Sequence, residues 1–187
     1  MTARKGHAAG LRIHVVTADD WASHRDLRIH MLTESPDAFW GRVDDVRGLG
    51  EADWRAAVSG DILYLQARDA SGAALGTLGV LPDGERDVHL IAMYVRPTAR
   101  GGGVGDLLLD ASAVLALEIG RPRQLLEVAA DNTVAIRLYE RHGFTVLARA
   151  AARPEGGEEP LTMVRELPEA LSPQDDSPQD DKAPTSP

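Results

Sequence analysis

The stretch RPTARGGGVGDLLL, Arg96–Leu109, places four glycines within five positions and then continues directly into an apolar segment. The run before it, VHLIAMYV at Val88–Val95, is almost continuously apolar, which is typical of a central strand. After the glycine loop (Arg100–Asp106), apolar residues recur at helical spacing from Val104 to Ile119. A strand, a glycine loop and a helix in this order turn backbone amides outward, which suits an anion such as pyrophosphate. A flexible link is the alternative, and four glycines at a helix start favour the anion site.

Two common phosphate-binding motifs do not fit this loop. A Walker loop ends in Gly-Lys-Ser/Thr, and the glycine loop contains no lysine. A Rossmann turn has the pattern Gly-x-Gly-x-x-Gly, and counting from Gly101 and Gly103 places its third glycine at Asp106. The spacing that remains is Arg-x-x-Gly-x-Gly, formed by Arg100, Gly103 and Gly105.

Periodic patterns elsewhere in the chain predict one α/β domain with a mixed sheet. Helices are predicted over residues 19–33, 51–59, 104–119 and 132–141. Strands are predicted over residues 11–17, 62–68, 74–81, 88–95, 124–128, 144–150 and 161–167. A turn is predicted at Pro82-Asp-Gly84, between the third and fourth strands.

Length and composition limit the classes of function that are possible. The chain has 187 residues and no cysteine, which excludes disulfides, thiolate metal sites and a cysteine nucleophile. No cluster of carboxylates and histidines has metal-ligand spacing, so we expect no metal. The net charge is −9 without a basic patch, which argues against a nucleic-acid partner and mildly suits a cationic substrate. No apolar run is long enough to cross a membrane and no signal peptide is evident, so we expect a cytoplasmic protein without a membrane partner.

The acidity is concentrated at the C-terminal end. From Glu166 onward there are six acidic residues and one basic residue, and the five-residue unit SPQDD occurs twice, starting at Ser172 and Ser177. Such a composition cannot bury enough apolar surface to offset the entropy of ordering. We therefore expect a flexible N-terminus over residues 1–10, a folded domain over residues 11–167 and a disordered acidic tail over residues 168–187.

The spacing of Arg100, Gly103 and Gly105 in this setting resembles the acyl-CoA loop of the GNAT N-acetyltransferase superfamily. The strand Met93-Tyr-Val-Arg-Pro97 resembles the strand that precedes the loop in that family. A second signature follows, since LEVAADN at Leu126–Asn132, then LYE and Gly-Phe, is similar to the family pattern V-x-x-x-N-x-x-A-x-x-L-Y-E-x-x-G-F. The resemblance covers about residues 11–167.

The resemblance implies a fold, a co-substrate and a set of binding residues. The fold is a twisted mixed sheet of about seven strands flanked by about four helices. The co-substrate is acetyl-CoA, whose pyrophosphate meets the loop amides while its pantetheine arm pairs with the preceding strand like an added β-strand. The implied cofactor-binding residues are Met93, Tyr94, Val95, Arg100, Gly101, Gly102, Gly103, Val104, Gly105, Asp106, Asn132 and Tyr139. Met93 and Tyr94 have core packing as an alternative role, and Asn132 has helix capping. An acid at Asp106, beside phosphates, is the detail that does not fit.

Acetyl transfer to an amine needs an acid for the departing thiolate and a base for the amine. Tyr139 matches the family tyrosine that acts as general acid. Glu127 matches the base of the ribosomal-protein acetyltransferase branch, and His89 lies where another branch places a glutamate. Ordered water is a third alternative for the base, and Glu127 is preferred for its motif match.

The implied function is transfer of an acetyl group from acetyl-CoA to a primary amine by direct attack in a ternary complex. A catalytically idle acyl-CoA sensor and a transferase for a longer acyl group are the alternatives, and a homodimer is possible. In the family, the acceptor groove is walled by the first two helices and the closing hairpin, here residues 27–40, 51–59 and 150–161. Four wall residues are predicted in it: Glu34, Asp37, Phe39 and Trp40.

Overall fold

A computed structural model describes residues 10–36, 39, 41–149 and 159–168 of the chain. A single sheet of seven strands runs through it, in the order β1-β2-β3-β4-β5-β7-β6. Neighbouring strands are antiparallel except β4 and β5, which are parallel. The strands are β1 Arg12–Val15, β2 Leu63–Arg68, β3 Ala74–Asp83, β4 Asp87–Val95, β5 Arg123–Val128, β6 Thr145–Arg149 and β7 Leu161–Glu166. The helices are α1 Trp21–Glu34, α2 Val43–Arg47, α3 Glu51–Val58, α4 Val104–Glu118 and α5 Thr133–Arg141.

The predicted seven-stranded mixed sheet is confirmed, and two local features differ from expectation. Strand β3 continues through Pro82 to Asp83, so the turn begins at Gly84, which has a φ of +54°. The pairing of β2 with β3 ends at Leu63↔Val80. Pro82 lies beyond this pairing, so its lack of an N–H costs no hydrogen bond to β2. Helix α2 was not predicted, because its one turn is too short to show a helical period. At its start, Asp45 Oδ2 accepts a hydrogen bond from Arg42 N at 3.1 Å.

The chain beyond the two ends of the domain lies outside the described residues. The predicted flexible N-terminus, the acidic tail and the tip of the closing hairpin fall mostly within residues 1–9, 169–187 and 150–158. Among the described helices, none is long and apolar enough to span a membrane.

Two hydrophobic clusters hold helices onto the sheet. The larger joins α4 and α5 to the strands through residues such as Leu108, Leu109 and Phe144. The smaller joins α1 to the sheet, where Leu27, Met31 and Leu32 meet Tyr94. Side chains along a strand alternate between its faces, so Tyr94 packs against α1 while Met93 and Val95 pack into the larger cluster.

The sheet opens between its two parallel strands. β4 pairs with β5 only from Asp87↔Arg123 to Leu90↔Leu126. Beyond that point β5 continues to Val128 against β7, while β4 continues to Val95 against β3. No strand of the described residues therefore pairs with the β5-facing edge of Ile91–Val95, and a cleft separates the two strands.

Candidate acyl-CoA site and its acceptor end

A cavity of about 1130 Å³ lies at this opening of the sheet. Its lining includes the open part of β4, the glycine loop, the end of β5 and the inner side of α5. Single-ligand pockets commonly have volumes of roughly 300–1,000 Å³. The cavity is therefore large enough for an extended ligand together with a second, smaller one.

A β-bulge shapes the β4 wall. Thr77 pairs with Tyr94 and Gly79 pairs with Ile91, so β4 has one residue more than β3 between the same two pairs. Ala92 lies in the bulge with a φ of +52°, and it is the one non-glycine residue with positive φ in the part of the chain described. An L-residue in this region costs about 1–2 kcal/mol. Bulges re-aim backbone groups beside active sites, and the sequence carries no signal for this one.

The glycine loop presents free amides to the cavity. Gly103 is the N-cap of α4 with a φ of +81°, and the first bond across it runs from Leu107 N to Gly103 O at 3.0 Å. The amides of Val104, Gly105 and Asp106 therefore have no acceptor one turn earlier within the helix. Two other amides of the loop are already bonded: Arg100 N donates to Pro97 O at 3.3 Å, and Gly102 N donates to Ala99 O at 3.3 Å. Gly102 does not line the cavity.

Close packing explains the last glycine of the loop. A Cβ added at Gly105 would lie 3.0 Å from Leu138 Cδ2 and 3.4 Å from Met93 Cε. A side chain here would require Leu138, the residue before Tyr139, to shift by a few tenths of an ångström. Gly105 thus lets the loop pack closely against Leu138.

Helix α5 brings Asn132 and Tyr139 to the cavity. Asn132 is the N-cap, since its Oδ1 accepts a hydrogen bond from Ala135 N at 3.1 Å, which leaves its amide NH2 as the group it can present to a ligand. Tyr139 is 7% exposed and packs edge-to-face on Phe144 at 5.8 Å between ring centroids. Burial raises the pKa of Tyr139 to about 12, so the phenol holds its proton at neutral pH.

The environment of Asp106 explains an acid at the mouth of an anion site. Its carboxylate accepts hydrogen bonds from Arg141 Nη2 at 3.1 Å and His142 Nε2 at 3.0 Å. Partial burial works to raise the pKa of Asp106, and the bonds from His142 and Arg141 outweigh it and hold the pKa below its usual value. Arg141 also lines the cavity, so the charge of Asp106 is balanced locally and holds a cation beside the loop.

A second carboxylate ties α1 to the loop. Glu34 accepts a hydrogen bond from the Tyr94 hydroxyl at 2.5 Å on one oxygen and from Arg100 Nη2 at 2.7 Å on the other. Arg100 Nε also donates to Val95 O at 3.1 Å. Glu34 was predicted as a wall residue of the acceptor groove, and the structure places it in this link instead of in the cavity lining.

The two candidate bases both line the cavity, on neighbouring strands. His89 lies on β4 and forms a hydrogen bond with Asp83 Oδ2 at 3.1 Å. Glu127 is exposed on β5, two residues beyond the partner of His89 in the parallel register. Strands β4 and β5 thus each contribute one candidate base to the cavity lining.

The acceptor end of the cavity, which we define by Arg28, Phe39, Ile62, Tyr64 and Ile91, lies between α1 and the sheet. Tyr64 belongs to no motif, and Arg28 was predicted only as part of the wall segment over residues 27–40. Of the predicted wall elements, α3 contributes no described lining residue, and Asp37, Trp40 and residues 150–158 lie outside the described chain.

The structure therefore collects the predicted residues in one place. Apart from Gly102, every predicted cofactor-binding and catalytic residue lines the cavity. Within the described ranges, no group of three His, Asp or Glu side chains is arranged to hold a metal ion.

Known proteins match both the sequence and the fold. The model of the acetyltransferase (GNAT) family matches residues 23–144. The IAA acetyltransferase of Azospirillum brasilense is 31% identical over 140 residues, which cover 73% of this chain and 88% of that protein. The mycothiol acetyltransferase of Jonesia denitrificans is 44% identical over 64 residues, covering 34% of this chain but 20% of that longer protein.

A solved structure from Salmonella typhimurium with its cofactor acetyl-CoA has the same fold. It superposes with a TM-score of 0.69 at 21% identity, over 89% of this chain and 99% of that chain. The family match spans most of the folded domain and includes both the glycine loop and helix α5, which carries Tyr139. This chain belongs to the GNAT acetyltransferase family.

Proposed function

We propose that this protein is an acetyl-CoA-dependent N-acetyltransferase that acetylates a primary amine by direct attack in a ternary complex. The observation that carries the proposal is the open edge of Ile91–Val95, which has the glycine-loop amides at one end and the buried phenol of Tyr139 along the same cavity. The acetyltransferase names of the sequence relatives support the reaction class.

The protein groups fit the two polar parts of acetyl-CoA. The unpaired edge of β4 offers backbone donors and acceptors to the amide groups of a pantetheine arm. The amides of Val104, Gly105 and Asp106, with Arg100 and Arg141 nearby, offer hydrogen-bond donors and positive charge to a pyrophosphate. Asn132 offers its amide NH2 from the other side of the opening.

Acetyl-CoA supplies an acetyl group already activated as a thioester. In the proposed reaction the amine nitrogen bonds to the acetyl carbon, the carbon–sulfur bond breaks, and the proton lost by the amine is balanced by one gained at sulfur. Tyr139 is the proposed donor of the proton to sulfur, because its high pKa keeps it protonated. Amides in the bulge around Ala92 are the proposed donors to the thioester oxygen.

The proposed base is Glu127, with His89 as the alternative. An amine must lose its proton before or during attack, and both side chains line the cavity beside the β4 opening. Glu127 is exposed and accessible to an incoming ammonium group, whereas His89 is hydrogen-bonded to Asp83. Ordered water is the third alternative for the base.

Two measurements test the proposal. Calorimetry with acetyl-CoA should show saturable binding to the full chain, and a panel of primary amines should release free thiol in proportion to acetylated product. Binding without thiol release from any amine would favour an acyl-CoA sensor, and turnover with a longer acyl-CoA alone would change the donor. Absence of acetyl-CoA binding at high protein concentration would overturn the proposal.

A further inference from the structure

We infer that Glu34 is a positioning residue that couples the glycine loop to α1 and the acceptor end, so that bound acetyl-CoA stabilises this helix. The inference deepens the proposed function and rests on it. Glu34 belongs to neither signature and does not line the cavity, yet its carboxylate contacts two residues that do, Tyr94 and Arg100. A side chain in this position acts on a ligand through its neighbours.

The carboxylate of Glu34 joins three elements of the fold. Glu34 is the last residue of α1, and its Oε2 accepts a hydrogen bond from the Tyr94 hydroxyl on β4 at 2.5 Å. Its Oε1 accepts a hydrogen bond from Nη2 of Arg100, at the start of the glycine loop, at 2.7 Å. Because the two donors use different oxygens, the helix, the strand and the loop are held together at the same time.

Both hydrogen bonds have an ionised acceptor at neutral pH. The bond from Tyr94, assisted by the bond and the charge of Arg100, holds the pKa of Glu34 below its usual value. Burial, reinforced by the bond to Glu34, raises the pKa of Tyr94 to about 12, so the hydroxyl keeps the proton that it donates. Bonds of this charge-assisted kind are roughly twice as strong as neutral ones. The link is therefore well suited to transmit a restraint from one side to the other.

Arg100 connects the link to the ligand side. Its Nε donates to Val95 O at 3.1 Å and its Nη2 donates to Glu34, so the protein uses two of its five N–H donors. The side chain lines the cavity and is 52% exposed, which leaves the other donors accessible to a phosphate oxygen. A phosphate bound there restricts the guanidinium and, through it, Glu34.

On its other side, the link reaches a wall of the acceptor end. The ring of Tyr94 packs edge-to-face on Phe39, with 6.4 Å between ring centroids, and Phe39 lines the cavity. Tyr94 also belongs to the smaller hydrophobic cluster, with Leu27, Met31 and Leu32 of α1. A restraint on the end of α1 and on Tyr94 is therefore also a restraint on Phe39.

A second ion pair on the same helix gives an internal comparison. Asp26, about two turns before Glu34, pairs with Nη2 of Arg96, whose Nε donates to Ala74 O at 2.9 Å. Both pairs join α1 to an arginine just before or at the start of the glycine loop, but Arg96 does not line the cavity. A ligand in the cavity can therefore act on α1 through Arg100, while the Asp26 pair only holds the helix in place.

Hydrogen exchange measures the coupling without an acceptor. Saturating acetyl-CoA should slow amide exchange in peptides over residues 27–36 of the wild-type full chain at least about fivefold, since couplings between sites are typically about 5- to 150-fold. In Glu34→Gln the slowing should fall below about twofold, because the amide lacks the charge and the second acceptor oxygen. Equal slowing in wild type and Glu34→Gln overturns the inference, and so does the absence of slowing in wild type.

Two further variants separate coupling from a general loosening of the helix. Arg100→Gln interrupts the same route from the loop side, and it should also reduce the slowing below about twofold. Asp26→Asn, the matched control, should raise exchange over residues 27–36 equally with and without acetyl-CoA, so that the ratio stays within about twofold of wild type. A ratio lowered as much by Asp26→Asn as by Glu34→Gln overturns the inference, as does a wild-type ratio in Arg100→Gln.

Calorimetry distinguishes failure of this inference from failure of the proposed function. It sets the acetyl-CoA concentration that saturates each variant, and exchange is compared at saturation alone. If acetyl-CoA does not bind the wild type, the proposed function fails. If acetyl-CoA binds and the slowing is the same in wild type, Glu34→Gln and Arg100→Gln, the inference fails while the proposed function stands.

Discussion

The two ends of the cavity are built by different means. At the glycine loop, the groups available to a ligand are mostly backbone amides, fixed by one contiguous motif and the start of α4. At the acceptor end they are side chains from α1, β2 and β4, which lie far apart in sequence. Backbone recognition tolerates changes of side chain elsewhere, whereas side-chain recognition changes with single substitutions. One fold can therefore keep one co-substrate and vary its acceptor.

The largest expected effect comes from substitution of Tyr139, the proposed proton donor. Tyr139→Phe should lower kcat about 10²- to 10⁴-fold, because a general acid contributes that much, while the affinity for acetyl-CoA changes by less than about threefold. Steady-state kinetics and calorimetry on the same preparation measure the two quantities. An unchanged kcat would remove Tyr139 from proton transfer and leave it as a packing partner of Phe144.

Substitution of the proposed base should give the next largest effect on the rate. Substitution of the true base, in Glu127→Gln or His89→Gln, should lower kcat/KM about 10²-fold and remove the acidic limb of the pH–rate profile. The other variant serves as the matched control and should keep both limbs. Retention of the acidic limb in both variants would assign the proton to water.

Buried His24, which packs against Tyr64 of the acceptor end, should make the free energy of unfolding sensitive to acid. His24 is 5% exposed against Trp54 and Tyr64, and burial, assisted by the charge of Arg28, lowers the pKa of His24 to about 4. Above pH 6.5 the histidine is neutral in both states, and between pH 6.5 and 4 the unfolded chain binds a proton that the folded chain does not. The free energy of unfolding should therefore fall on acidification, by up to about 3 kcal/mol from this group.

Denaturant unfolding of wild type and His24→Phe from pH 7 to pH 4 measures that contribution. The variant should lose less free energy of unfolding than wild type over this interval. His30→Gln, an exposed histidine on the same helix, should follow the wild-type curve. Parallel curves for wild type and His24→Phe would contradict the account.

The smallest expected effect concerns the backbone of the loop. Gly103→Ala should weaken acetyl-CoA binding about tenfold, because a Cβ at a φ of +81° costs about 1–2 kcal/mol and shifts the amides that follow. Gly72→Ala, at a φ of +87° in the β2–β3 turn, has equally open space around its Cβ and should destabilise folding without changing the affinity. Equal affinities for the two variants would show that the loop geometry does not control binding.

Local signals predicted the part of the site that the chain carries in continuous stretches. The apolar run of β4, the glycines before α4 and the cap at Asn132 each act within a few residues, and each is found where the sequence placed it. The end of β3 and the existence of α2 were missed, since strand pairing and a single helical turn leave little periodic signal.

The sequence by itself determined the order of the elements other than α2, the strand–loop–helix unit and the residues of both signatures, because backbone conformation there is set by glycine and by short-range apolar periodicity. Only the tertiary structure decided three features. The β4–β5 pairing stops at Leu90↔Leu126, the charge of Asp106 is balanced by Arg141 and His142, and Ile62, Tyr64 and Ile91 converge over Gly79. These features depend on which strands and helices meet, and that is settled by packing across the whole sheet.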